Sequence, residues 1–304
     1  MTKNLDYLQR INRGIDYIVN NLTGDLRLEA VARAAAFSPF HFHRIFRALV
    51  GETLNQFVKR VRLQRALALL THRDELSLTD IALACGFASS SDFSRSFKKQ
   101  FGVPPRAFDI DAFRASKRND MQVQLTGPED RHLLARLPVG ENPDGFEVTL
   151  RELPARSVAY LRVHQPYEGT GVLDATNELI AWATERSVEG GQWLGYTWDD
   201  PEIVPLDKCR YDVGVEVAAP FADDAGVSCL HLPAMTVAEV QIKGAIDLEQ
   251  RGLDWLFMTW LPTSGFAPAE QPCFEAWDGL PFTHGNQHFE LRIHIPVVDA
   301  SDPI

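Results

Sequence analysis

The stretch Phe37-Ser-Pro-Phe-His-Phe-His-Arg-Ile-Phe-Arg-Ala-Leu-Val-Gly51 returns as Phe87-Ala-Ser-Ser-Ser-Asp-Phe-Ser-Arg-Ser-Phe-Lys-Lys-Gln-Phe-Gly102. Arg44, Phe46 and Gly51 recur as Arg95, Phe97 and Gly102. Each copy follows a short Ala-rich amphipathic segment, Leu28–Ala36 and Leu78–Gly86. A small helix, a tight turn and a longer helix, twice over, read as two helix-turn-helix units. Units of this kind place the longer helix in the DNA major groove.

Local signals set the helix starts. Ser38-Pro39 reads as an N-cap followed by proline at the first helical position, where its missing N–H does no harm. Ser77 with Asp80, and Ser89 with Asp92, have capping-box spacing. In the first long helix Phe42, Ile45, Phe46 and Leu49 share one face and are expected in the core, with His43, Arg44 and Arg47 outward. In the second, Phe93, Phe97 and Phe101 turn inward and leave Ser90, Ser91, Ser94, Arg95, Lys98 and Lys99 outward. Between the units, Thr53–Thr71 holds a helical pattern with no Gly or Pro. At about 1.5 Å per residue it is roughly 28 Å long. That length suits two recognition helices set about 34 Å apart on one face of B-DNA.

Charge divides the chain in two. Residues 1–118 carry 19 Lys and Arg against 11 Asp and Glu, whereas 119–304 carry 11 against 30. The basic part suits a polyanion and the acidic part favours a cation. No apolar run reaches the roughly 18 residues that span a bilayer. Four scattered cysteines without a C-x-x-C pair argue for a reducing compartment and against a structural zinc site. The expectation is a cytoplasmic protein of two domains, with no cofactor, no metal and no membrane partner.

The first 110 residues resemble the AraC/XylS family of transcription regulators. The matching residues are Ser38-Pro39, Arg44, Phe46, Gly51, Arg62-Leu63-Gln-Arg-Ala66, Ile81-Ala82, Gly86-Phe87, Arg95, Phe97-Lys98 and Gly102-Val-Pro-Pro105. The resemblance implies base-edge contacts from Phe40, His43 and Arg44 in the first helix and from Ser90, Ser91, Ser94 and Arg95 in the second. Arg47, Lys98 and Lys99 are then placed for phosphates. Ala36 departs from the family, which usually has glycine at that turn.

Residues 111–145 read as a linker. A short closing helix is expected over 109–118, and Pro128, Pro138, Gly140, Pro143 and Gly145 argue against regular structure after it. A second repeat follows. Leu153-Pro-Ala-Arg-Ser-Val-Ala-Tyr160 matches Leu232-Pro-Ala-Met-Thr-Val-Ala-Glu239 at an offset of 79. Each copy leads into an apolar helical pattern and ends in alternating strands. The expected fold is therefore multidomain. An all-α tandem helix-turn-helix domain (1–110) precedes an α+β domain (146–299) of two β-α-β-β units related by a pseudo-twofold axis.

This second half resembles the GyrI-like small-molecule-binding domain of multidrug-responsive regulators. The resemblance rests on Leu153–Tyr160, Gln165-Pro-Tyr167, Gly195-Tyr-Thr-Trp-Asp-Asp-Pro201, Cys209-Arg-Tyr-Asp212, Trp260-Leu-Pro-Thr-Ser-Gly265 and Pro272-Cys-Phe-Glu-Ala-Trp277. It implies a pocket carboxylate flanked by aromatics, here Glu275. The repeat offset places Tyr196 opposite it. Tyr160, Tyr167, Trp198, Trp255 and Trp277 complete the expected ligand site. A carboxylate among aromatic rings attracts a lipophilic cation by charge and cation–π contact.

The expected function is a sequence-specific transcription regulator. Its partners are double-stranded promoter DNA, a small cationic or aromatic effector and RNA polymerase. Two alternatives remain for the second domain. One is a hydrolase-like enzyme using Glu275 with Tyr196 or Tyr160. The other is a protein-interaction module without ligand.

Overall fold

The computed structural model describes residues 2–73, 75–126, 134–285 and 288–302, so Pro128 lies outside the described residues. The chain divides between Phe113 and Arg114 into two compact units.

The first unit is helical: α1 (Thr2–Asn20), α2 (Leu28–Ala34), α3 (Pro39–Val50), α4 (Leu54–His72), α5 (Leu78–Ala84) and α6 (Ser90–Phe101). The pairs α2–α3 and α5–α6 are the two helix-turn-helix units, and α4 joins them. Thr53 and Gln56 form a reciprocal capping box at the start of α4, and Ser77 and Asp80 form another at α5. Ser38 accepts from His41 N with Pro39 at the first helical position. Ile11, Ile15 and Ile18 of α1 pack with Phe42, Phe46 and Phe57. Leu49, expected in that core, is instead 42% exposed, because it sits in the last turn of α3 beyond the buried stripe. The second half of the unit is built on touching rings. Phe93 and Phe97 lie 5.6 Å apart, Phe97 and Phe108 5.2 Å, and Phe101 and Phe113 5.6 Å.

The second turn is one residue longer than the first, and the two also differ at the left-handed position. Gly86 has φ 79° and Ala36, its counterpart, has φ 54°. Both follow the same pattern, in which the next phenylalanine N–H closes back on the short helix: Phe37 on Ala32 O and Phe87 on Ala82 O. A Cβ at Gly86 would lie 2.2 Å from Leu22 O, the oxygen that Arg62 also binds, so glycine is required there. Ala36 is exposed, so its methyl fits and only the left-handed backbone is strained. Ala36→Gly is therefore expected to stabilise the protein by about 0.5–1 kcal/mol. Thermal unfolding reads this directly, and a lower melting temperature in the variant would refute it.

Within 111–145, expected as a linker, the described residues 111–126 and 134–145 include a helix and ion-paired side chains. Helix α7 (Ile110–Leu125) has no Gly or Pro and continues well past residue 118. From Arg114 onward it belongs to the second unit. Arg114 reaches Asp200 at 3.0 Å, and Arg118 is buried against Glu202 and Asp254. Arg136 also binds Glu202, and Leu137 N donates to Asp254. Basic side chains paired with Asp200, Glu202 and Asp254 hold these described residues in place.

The rest of the second unit runs β1 (Thr149–Leu153), β2 (Arg156–His164), α8 (Gly171–Glu185), β3 (Trp193–Thr197), β4 (Arg210–Val217), β5 (Ser228–Leu232), β6 (Met235–Gly244), α9 (Ile246–Trp255), a π-helical turn (Leu256–Trp260), α10 (Leu261–Ser264), β7 (Phe266–Pro268), β8 (Phe274–Trp277) and β9 (Phe289–Asp299). One antiparallel sheet has the order β1-β6-β9-β8-β3-β4-β2-β5, with β7 on β9. Reading outward from the β3–β8 seam, each half has the same sequence of strands. The two β-α-β-β units expected from the repeat are present. Two strands before Leu153-Pro-Ala and Leu232-Pro-Ala were not anticipated. β1 pairs with β6 and β5 with β2, so the first two strands of each copy lie in opposite halves.

Directly opposed residues in an antiparallel pair share a face. From Val163 the chain of such pairs runs along one face through Leu161–Val213, Val213–Gly195, Gly195–Glu275, Glu275–Ile293 and Ile293–Val240. Gly171 at the start of α8 abuts Val163, and Gly252 of α9 abuts Ile242 and Ile293. Both helices therefore cover this same face, and Leu179, Trp182, Trp255 and Leu256 fill the core between.

Candidate functional site

The register places Glu275 opposite Gly195, not opposite Tyr196. Leu161 and Val240 are 79 residues apart, but their partners Val213 and Ile293 are 80 apart. One extra residue enters the second copy, and the repeat offset read from Leu-Pro-Ala slips by one on β3. A slip of one residue in a strand reverses which face a side chain occupies. The structural counterpart of Glu275 is thus Gly195, and Tyr196 points to the opposite face beside Phe274, at 5.0 Å between ring centres.

Glycine is needed at that position. A Cβ on Gly195 would lie 1.9 Å from the Tyr211 hydroxyl and 2.7 Å from Glu275 Oε2. In the space so left, Tyr211 donates to Glu275 Oε2 at 2.7 Å, and Trp277 Nε1 donates to the same oxygen at 3.1 Å. Glu249, from the buried side of α9, hydrogen-bonds to Glu275. Burial pushes the Glu275 carboxyl up to about 7. Burial, followed by the charge of Glu275, pushes Glu249 well above its ordinary value. The Tyr211 phenol is raised by burial and then by Glu275. Among the described residues no Arg, Lys or His hydrogen-bonds or ion-pairs with either carboxyl. Two acids held together without a counter-ion favour the protonated state or an incoming cation.

The pair has a stability signature. A raised carboxyl contributes stability that is fully present below about 4.5 and is lost as pH rises through about 7. Glu275→Gln should remove this dependence. Wild type is expected to lose about 3 kcal/mol relative to the variant between pH 5 and 8, at about 1.4 kcal/mol per unit. Thermal denaturation across that range measures it, and parallel curves for the two proteins would rule it out.

A cleft of about 340 Å³ adjoins this pair. Gly190, Gly191, Gln192, Trp193, Trp277 and Leu280 line it. Trp277 links the two features, since it borders the cleft while its indole N–H donates to Glu275. Gln192 clamps the seam by donating to Trp277 O at 2.7 Å. Tyr167 also belongs to this neighbourhood. Its phenol is raised first by burial, with Glu275 among the charges that add to it.

The structure does not bring the other expected residues here. Tyr160, Tyr196 and Trp198 gather instead around a buried ion-pair network on the opposite face. Arg162 binds Asp212 at 2.7 and 2.6 Å, and both side chains are fully buried. Trp198 Nε1 donates to Asp212 at 2.6 Å, with the guanidiniums of Arg162 and Arg210 over its ring. Arg162 also lies 5.1 Å from the Tyr160 ring centre. Trp255 packs against Phe146 in the core at 5.8 Å.

Sequence reasoning missed Glu249, Tyr211 and Gly195. Glu249 had a signal. It shares a helical stripe with Gly252, Leu253 and Leu256, so an acid occupies a position that faces the sheet. Tyr211 alternates with Val213 and Val215, which marks the same face.

On the long helices of the first unit, Phe40 is 68% exposed, and His43, Arg44 and Arg47 are exposed beside it. The Arg44 guanidinium lies 5.7 Å from the Phe40 ring centre. On α6, Ser91, Arg95, Lys98 and Lys99 are exposed, while Ser90 and Ser94 are half-buried. Ser89 caps Asp92 N, and the Asp92 carboxylate lies 3.9 Å from Arg95.

Residues 31–109 match the helix-turn-helix domain family, and 146–298 match the GyrI-like small-molecule-binding domain family. The chain belongs to the GyrI-like family. It joins a GyrI-like domain to an AraC-type helix-turn-helix domain. A probable transcription factor of Proteus vulgaris, PqrA, is 37% identical over 27% of this chain and 67% of its own length. An uncharacterized helix-turn-helix regulator of Bacillus subtilis, YbfP, is 35% identical over 34% of each chain. This chain thus spans about a third of one relative and two thirds of the other. The cryo-EM structure of an EcmrR–DNA complex aligns over 90% of this chain and 99% of its own, at 13% identity and a TM-score of 0.43. Among the described residues no helix is long and apolar enough to cross a membrane. The Glu249–Glu275 pair and its cleft lie inside the GyrI-like domain.

Proposed function

We propose that this protein is a transcription regulator that binds promoter DNA through α3 and α6 and responds to a lipophilic cation held at Glu275. The observation that carries the effector assignment is the carboxyl pair of buried Glu249 and half-buried Glu275, with no protein cation on it among the described residues, next to a cleft bordered by Trp193 and Trp277. A cation supplies the missing counter-charge, and Trp277, which borders the cleft, brings an aromatic ring beside Glu275. On the DNA side, Phe40, His43, Arg44, Ser90, Ser91, Ser94 and Arg95 are the base-reading residues. Arg47, Lys98 and Lys99 neutralise phosphates. RNA polymerase is the further partner whose contact the effector would alter. The hydrolase-like alternative is disfavoured, because Tyr160 and Tyr196 face away from Glu275.

All six tryptophans, Trp182, Trp193, Trp198, Trp255, Trp260 and Trp277, fall in the second unit, so their fluorescence reports on it alone. Tetraphenylphosphonium should quench it saturably, and neutral triphenylphosphine oxide should not. Glu275→Gln should weaken the response to the cation at least tenfold. Equal quenching by the neutral compound would rule out the charge-based site.

A further inference from the structure

We infer that Glu249 and Glu275 act as a single acid that releases one proton when a cation enters, so that the site matches one positive charge per ligand and tightens as pH rises. The inference rests on the effector site proposed above and adds its regulation.

The geometry supports one ionisation rather than two. Glu249 comes from α9 and Glu275 from β8, and they meet side chain to side chain on the covered face of the sheet. Among the described residues, the groups that act on the pair are neutral or potential anions. Tyr211 comes from β4 and Trp277 from β8, and Tyr167 lies in the loop after β2. Two carboxylates in contact without a cation cannot both hold charge. The donors are unevenly shared. Glu275 receives the Tyr211 hydroxyl and the Trp277 indole N–H on one oxygen, so its anion is the better solvated. Glu249 is 6% exposed, and Glu275 is the partner its side chain meets. The proton that stays therefore sits on Glu249 and donates to Glu275. The proton that leaves comes from the Glu275 carboxyl, its O–H bond breaks, and the buffer takes it up. A second positive charge would have to displace the Glu249 proton, the one held more tightly.

The test is the dissociation constant of tetraphenylphosphonium, which has no proton of its own, measured on the full chain from pH 5.5 to 8.5. Affinity should rise close to tenfold per pH unit below neutrality and level off above it. Calorimetry at pH 6 in two buffers of different ionisation enthalpy should show close to one proton released per cation. Glu249→Gln keeps a donor to Glu275 and should keep this profile. Glu249→Leu removes the donor and should move the rise to higher pH. Saturable binding with a flat pH profile would overturn proton coupling while leaving the cation site standing. So would release of two protons. Absence of binding at every pH would overturn the cation site itself and this inference with it. The unfolding curves of wild type and Glu275→Gln test the shared proton without any ligand.

Discussion

Asp212→Ala is expected to lower folding stability by about 3–5 kcal/mol. Asp212 is fully buried and accepts hydrogen bonds from Arg162 Nε and Nη2 and from the Trp198 indole N–H. Its removal leaves the Arg162 guanidinium buried beside a second cation, Arg210, whose own partner is Asp199 at 2.7 Å. Breaking one side of such a pair costs far more than replacing both sides with apolar groups of similar size. The double variant Arg162→Met/Asp212→Leu should therefore recover most of the loss. Denaturant unfolding of the single and double variants measures this. A loss below about 1 kcal/mol for Asp212→Ala would show that the network contributes little. The same measurement separates the two faces of the sheet, because tetraphenylphosphonium binding should survive in the double variant.

The second large effect concerns DNA. Arg44 and Arg95 occupy equivalent places on α3 and α6, and both are exposed. An arginine bidentate to guanine contributes about 1–3 kcal/mol of discrimination. Arg44→Ala/Arg95→Ala should therefore weaken binding to a selected DNA site by about a hundredfold or more. Substitution of Ser90 or Ser91 by Ala should cost less, since a hydroxyl makes a single hydrogen bond. Fluorescence anisotropy at one fixed salt concentration is the measurement, because phosphate contacts alone make affinity salt-dependent. Unchanged affinity in the double variant would show that α3 and α6 do not read the DNA through these arginines.

The tandem helices were legible because their determinants are local. Caps at Ser38, Ser77 and Ser89, and phenylalanines at helical spacing, specify each helix within a few residues. Strand existence was also legible, since Tyr211–Val217 and Phe289–Ile295 alternate plainly. Strand partnership was not. It depends on contacts between residues about 80 apart, and the one-residue insertion that turns Tyr196 away from Glu275 leaves no local trace. The same limit hid Glu249, whose meaning appears only when α9 is laid over β8. Arg114 and Arg118 were misread as part of a linker because their place is set by distant acids, Asp200, Glu202 and Asp254, rather than by neighbouring residues.

The central claim is that occupancy of the Glu249–Glu275 site alters DNA binding. The direct measurement is the affinity of the full chain for DNA selected in vitro, with and without saturating tetraphenylphosphonium, at one salt concentration and pH 8. A coupled site should shift the dissociation constant by about fivefold or more in wild type. The shift should vanish in Glu275→Gln, with the affinity of the unliganded variant unchanged. Equal affinities with and without the cation in wild type, under conditions where tryptophan quenching shows the site filled, would contradict the account.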